Sequence, residues 1–392
     1  MMSDDRDDSW SRLIQGLAPV GARVANLALR ADDPLSRHET WRHLAIGFAQ
    51  GVLEGLHGDP DYPEFVPHLN HVFNIAAPPP DYIYLMTFVR GDGVYRLSGL
   101  RGTCRFVDVD MFGGHHSKGG KAFAVGNFTL DDLDIAEDGY FSLILSGERP
   151  AGHDGDWVRL DPQTMMLLVR SAACDWMSEV DGRLAIERLD LPASRPRPSV
   201  EQLSERLVGL AGWSERVVAS WLEHVARRRE QGVINQLPRL QYAAGAAGQA
   251  MYEGLFELDE GEALLIDTAL PRESRYWSVM LADDQLCTID WANRQTSLND
   301  VQARVDADGR LRVVIAAVDP GVPNWLDTAG YRSGTIGLRW NRPSDTPDPA
   351  VRRIKLAELR DHLPPDTPDI SPAERDGALR RRREGAQLRR RW

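Results

Sequence analysis

The 392-residue sequence predicts a mainly β protein with helical additions. The expected core is two related antiparallel, jelly-roll-like β-sandwich units, joined to an N-terminal helical pair, a middle helix and a C-terminal helical tail. Three observations carry this. From Asp81 to about residue 190, short apolar runs alternate with turn residues, and the texture returns from Tyr252 to Trp340. No helical stretch separates these runs, which favours antiparallel over parallel sheets. Apolar residues three and four apart mark helices at either end and in the middle.

The third observation is a repeat. DGYFSLILSGERPAGHDGDWVRLDPQTMMLLVR and DGRLRVVIAAVDPGVPNWLDTAGYRSGTIGLRW share one plan. Each opens on Asp-Gly (Asp138-Gly139, Asp308-Gly309), follows with an apolar strand and a Pro-Gly loop, and reaches a tryptophan (Trp157, Trp325). Each ends on a strand carrying an arginine, Arg170 or Arg339. We read this as an internal duplication.

In chain order, Trp10, Leu13, Ile14, Leu17 and Val24 place a helix within 8–30. Trp41, Leu44, Ala45, Phe48, Val52 and Leu56 place a second within 37–57, with Ser36 as its N-cap. DYIYLMTFVR, VYRLSG and TCRFVDVDMF read as strands, continued by 121–128, 140–146, 164–170 and 183–188. SRPRPS ends the run, and Ser199-Val-Glu-Gln is a capping box opening a helix to about Arg229. Ser371 starts a last helix bearing the clusters Arg380–Arg383 and Arg389–Arg391. The expected divisions are 1–77, 78–195, 196–250, 251–343 and 344–392.

Composition narrows the function classes. A net charge of −12 disfavours nucleic acid as a partner. The arginine-rich tail therefore reads as a solvated helix or one that docks subunits into a homo-oligomer, with contact to RNA or an anionic surface as the alternative. No run of about 18 apolar residues predicts a membrane span. The acidic start lacks a secretory signal, and three widely spaced cysteines fit neither a disulfide framework nor a zinc site, so a cytoplasmic home is expected.

RYWSVML, TIDWANRQTSLN and DPGVPNWLDTAGYRSGTIGLRWNRP resemble the bacterial domain of unknown function 1214 family. PDYIY, YRLSGLRGT and LVRSAACDW extend the likeness over about residues 80–340. The resemblance implies a jelly-roll-like β-sandwich with helical additions and assigns no reaction. Three positions depart from the family pattern: Tyr331 stands where histidine is frequent, Asp300-Val301-Gln302 where Gly-His-Gln is frequent, and Ser171-Ala172-Ala173 where bulky aromatics are frequent. The last exchange suggests an opened pocket.

No nucleotide, Rossmann, HExxH or GxSxG motif is present, so no cofactor or metal is expected. His115 and His116, in a glycine-rich loop after VDVDMF, are candidate general bases with Asp108 or Asp110 to orient them. The plainer reading is two exposed loop histidines. A metal held with His68 or His71 is a further alternative. Arg294 and Arg339 are candidates to hold a polar group or developing negative charge. Tyr84, Trp157, Trp291, Asn293, Asn324, Trp325, Asp327 and Tyr331 are candidate substrate contacts. The competing reading is a turn-rich corner in which Arg339 pairs with Asp327. The resulting expectation is a cofactor-independent lyase or isomerase acting by acid/base chemistry on an aromatic or hydrophobic small molecule. The alternative is a non-catalytic glycan-, lipid- or protein-binding module.

Overall fold

The structure is a computed structural model that describes residues 8–115, 122–240 and 248–389. Three helices open it: α1 (Ser9–Leu17), α2 (Val20–Ala25) and α3 (Pro34–Gly51). The cap of α3 is Asp33, whose carboxylate accepts from the Leu35 amide, and Pro34 fills the first turn. Ser36, the expected cap, lies inside the helix, because a proline at the first position fixes the start earlier. The helix then widens into a π-helical turn, Val52–His57.

The first β unit follows, with β1 (Val66–Pro67), β2 (Tyr82–Phe88), β3 (Tyr95–Leu100), β4 (Phe106–Gly113), β5 (Phe123–Thr129), β6 (Tyr140–Ser146), β7 (Asp156–Arg159), β8 (Met166–Ala172) and β9 (Arg183–Arg188). The long helix α4 (Val200–Glu230) has the expected capping box at Ser199 and Gln202. The second unit holds β10 (Arg239–Leu240), β11 (Gln249–Glu257), β12 (Glu262–Ala269), β13 (Tyr276–Ala282), β14 (Ser297–Asn299), β15 (Arg310–Ala316), β16 (Trp325–Asp327), β17 (Ser333–Asn341) and β18 (Ala350–Lys355). Helix α5 (Pro372–Leu388) closes the chain, again with its capping box formed.

Duplication is visible in the hydrogen-bond register. The inner sheets run β1-β2-β8-β4-β5 and β10-β11-β17-β13-β14; the outer sheets run β7-β6-β3-β9 and β16-β15-β12-β18. In both units the central inner strand carries the repeated arginine two residues before its end. Arg170 lies opposite Tyr84 and Asp108, and Arg339 opposite Met251 and Ser278. Two residues along, Asp110 faces Leu168 where Met280 faces Gly337. The repeated tryptophans are equivalent too. The Trp157 indole donates to Ser146 Oγ (2.9 Å) and the Trp325 indole to the Ala316 carbonyl (2.9 Å).

The inner sheet of the first unit is buried on both faces. Leu97, Val109, Leu143 and Val169 fill the sandwich, whereas Tyr82, Tyr84, Phe112 and Leu168 turn outward against Trp213 and Val217 of α4. Alternate side chains thus serve two cores, which explains why every residue of β4 is buried. The second unit takes its outer edge strand from 350–355, past the boundary expected at 343, because β12 needs a partner there.

Helix α5 packs on its own chain. Arg389 makes a bidentate pair with Asp181, Arg375 bonds Asp319 and Gln295, and Arg382 lies over Trp176. The fully buried Ala172 and Ala173 sit in two packed cores, which overturns the expectation that small residues there open a pocket. Among the described residues, no helix is long and apolar enough to cross a membrane.

Candidate functional site

A cavity of about 190 Å³ lies between the inner sheets, α4 and the segment from the end of α3 to residue 79. Most of its lining is apolar, including Leu69, Ile75, Met166, Leu168, Val217 and Trp221. A second cavity of about 110 Å³ adjoins it and shares five lining residues: Ala76, Ala77, Trp221, Met251 and Arg339. Ala76 and Ala77 both have positive φ, at 63° and 47°. Consecutive non-glycine residues in that region store backbone strain, which concentrates at functional sites.

The π-helical turn supplies the first polar feature. It rests flush on α4: a Cβ on Gly51 would lie 3.0 Å from the Trp213 ring, and one on Gly55 2.8 Å from it. This close seat carries Glu54 inward, where it is almost fully buried. His68, which lines the cavity, bonds through Nδ1 to Glu54 Oε1 at 2.6 Å. Gln50 donates to the His68 carbonyl at 2.9 Å and fixes the segment from the other side. Burial raises the Glu54 carboxyl above its ordinary range, against the opposing pull of His68 and Gln50. A carboxylate on Nδ1 sets the tautomer and leaves Nε2 for a ligand. The pair therefore has the build of a general acid/base. A second histidine, His224 in the smaller cavity, bonds Glu253 at 2.7 Å.

The repeated arginines converge on the same space, since Arg170 and Arg339 both line the larger cavity. Arg170 is ion-paired to Asp110, and its guanidinium stacks 5.8 Å from the Tyr84 ring. Arg339 is equally buried, but among the described residues no carboxylate lies within ion-pair distance of it. Its Nε has no hydrogen-bond partner, and its Nη2 donates only to the Met280 sulfur, at 3.9 Å.

Residues 258–345 match the family model described as protein of unknown function (DUF1214). The crystal structure of an uncharacterized protein from Burkholderia cenocepacia is 31% identical, covering 90% of this chain and 98% of that one, with a TM-score of 0.82. The chain belongs to the DUF1214 family. A more distant likeness is the VPA0106 protein from Vibrio parahaemolyticus, 15% identical over 81% of this chain and 99% of that one, with a TM-score of 0.46. Comparison with curated proteins finds no match.

The cavity of this DUF1214 protein gathers three of the expected catalytic and substrate residues, Tyr84, His115 and Arg339, and also His68, expected only as an alternative metal ligand. His115 packs between Phe88 (5.6 Å) and Trp213 (5.4 Å). His116 lies outside the described residues. Asp110 and Asp108, expected to orient a histidine, are ion-paired with Arg170 and Arg275.

The remaining candidates lie away from the cavity, in structural roles. Arg294, not Arg339, pairs with Asp327 (2.7 Å), because Arg339 points from β17 into the space between the sheets. Asn293 closes a turn on Asp290 and accepts from Arg383. Asn324 uses both ends of its amide on the backbone of Arg304 and on the Arg312 carbonyl. Trp157 and Trp325 latch their outer sheets, and Trp291 packs under α5. Tyr331 bonds Glu39 of α3 at 2.7 Å. Among the described residues no three His, Cys, Asp or Glu side chains gather as metal ligands. Sequence reasoning missed Glu54, Gln50 and the different pairing of the two arginines. A signal was present: Gln50 and Glu54 are four apart, interleaved with Gly47, Gly51 and Gly55.

Proposed function

We propose that this DUF1214 protein is an enzyme that works by acid/base catalysis on a small aromatic or otherwise apolar molecule held in the larger cavity. His68 is its base and Glu54 orients it. The observation that carries the reading is the Glu54–His68 pair: a buried carboxylate behind an imidazole that borders an apolar chamber. A carboxyl group so fully buried is costly to desolvate, and its place behind the imidazole supports a role beyond packing. Removal of a proton by His68 and its return at another atom is an isomerisation. Removal coupled to loss of a leaving group is an elimination. Both need only one well-placed base, so lyase or isomerase chemistry suits the site. A chamber of about 190 Å³ is close to the size that holds a single aromatic ring.

The test is a turnover screen by mass spectrometry, using single-ring alcohols, ethers and acyl compounds. A compound that the protein converts should be converted about 10²–10⁴-fold more slowly by His68→Gln, the contribution of a positioned base. Unchanged turnover in that variant removes His68 as the base. Recovery of every compound unchanged removes the catalytic reading and favours the non-catalytic glycan-, lipid- or protein-binding module.

A further inference from the structure

Arg339 is a buried cation that lacks the counter-ion its equivalent in the first unit has. In the first unit, Asp110 on β4 neutralises Arg170. At the same register in the second unit, Met280 on β13 stands beside Arg339 and offers only its sulfur. Asp81 acts on Arg339 only through space. Its oxygens are engaged by Tyr276 (2.6 Å), Trp176 (2.8 Å) and Asn299 (2.7 Å). The Arg339 guanidinium faces the Tyr82 ring at 5.8 Å, and its Nε is buried with no partner. A buried charge left without a partner is strongly unfavourable, so such groups are found where a ligand completes them.

We propose that Arg339 is the seat for the carboxylate of an organic monoanion whose apolar body fills the larger cavity. One unmatched guanidinium balances one negative charge. Its planar fork fits the two oxygens of a carboxylate. Arg170 adds no second unmet charge, because Asp110 already answers it. This selects a monocarboxylate over a phosphate dianion. The apolar lining takes the rest of the molecule, and Arg339, which borders both cavities, fixes the anionic end at their junction. The inference rests on the reading of this cavity as the ligand site.

The test is calorimetric titration of the full chain with acetate, phenylacetate and benzoate, each beside its amide. Wild-type protein should bind at least one acid at least about tenfold more tightly than the matching amide, as expected for a desolvated charge pair. Arg339→Met removes the cation, and Met280→Asp restores the counter-ion at the register of Asp110. Each should abolish the acid preference while amide binding changes little. The comparison of acid with amide in wild type needs no variant to fold. No preference for any acid in wild type, or a preference that survives both substitutions, overturns the proposal. His68→Gln separates the two readings. Acid preference kept in that variant, with no turnover of any compound by wild type, sinks the catalytic reading alone. His68-dependent turnover of neutral compounds without acid preference sinks the anion seat alone.

Discussion

Arg170 and Arg339 occupy one position of a duplicated sheet, and the first is neutralised by Asp110 where the second meets Met280. The two units share the cation and differ in what surrounds it. Asp110→Ala should therefore leave Arg170 buried and unpaired, at a loss of about 3–5 kcal/mol. The double change Asp110→Met with Arg170→Met should recover most of that loss, since apolar replacement of a buried pair is often neutral. Urea denaturation of the three proteins checks this. Equal destabilisation of single and double variants would show that the pair does not act as a pair.

Glycines at the π-helical turn hold Glu54 in place. Gly55→Ala would put a methyl 2.8 Å from Trp213, forcing the turn off α4. A loss of about 1–3 kcal/mol is expected for overpacking of this kind, along with reduced turnover if Glu54 follows the turn outward. Gly209, inside α4 with nothing within 4 Å of an added Cβ, is the matched control. Gly209→Ala should gain about 0.5–1 kcal/mol. Thermal melts of both decide the matter, and a neutral Gly55→Ala would show that the turn yields without cost.

Strain at Ala76 and Ala77 should be removable. Both have positive φ and line both cavities. An L-residue in that region costs roughly 1–2 kcal/mol, and glycine gives back part of the relief through its more flexible unfolded chain. Ala76→Gly or Ala77→Gly should therefore raise stability by up to about 1 kcal/mol each while loosening ligand binding. A melting temperature below wild type would mean that the methyl groups pack productively.

Much of the fold was legible in the sequence because its signals are local. The strands 140–146 and 183–188, the capping boxes at Ser199 and Ser371, and the equivalence of Arg170 with Arg339 are all readable from pattern and spacing. The site was less legible, because it is made by long-range packing. His68 is legible only as a possible metal ligand, Glu54 sits buried on the π-helical turn behind it, and Arg339, a candidate from sequence, meets them only through packing of the far end of the chain. Dense polar runs such as 290–299 and 324–327 drew attention on composition, yet their side chains close turns and clasp backbone. The informative residues are isolated polar groups in apolar surroundings. Without knowledge of what faces them, those look like ordinary helix and strand positions.

Asp283 gives the structure a pH dependence that can be measured without any ligand. Its carboxylate is buried in the turn after β13 and accepts from the Gln285 and Cys287 amides, both at 2.9 Å. Burial raises its pKa from an ordinary 3.8 to about 7, with Glu39 and Asp284 adding repulsion. The folded chain thus holds this proton more tightly than the unfolded chain. Its stabilising contribution is complete below the unfolded value and is lost as pH rises through about 7. Each unit of separation is worth about 1.4 kcal/mol, so the whole change amounts to a few kcal/mol. Asp283→Asn keeps an oxygen for both amides and cannot ionise. Its stability relative to wild type should therefore rise from pH 4 and level off above about pH 7. Taking the difference cancels the other carboxyls, including the raised Glu54 and the lowered Glu262, which pull in opposite directions. Stability curves that run parallel over this range would show that Asp283 is ionised in the folded protein throughout. The turn also carries the Leu286 carbonyl that accepts from the Ala77 amide at 2.7 Å. Loosening it at high pH should reach the cavity wall as well.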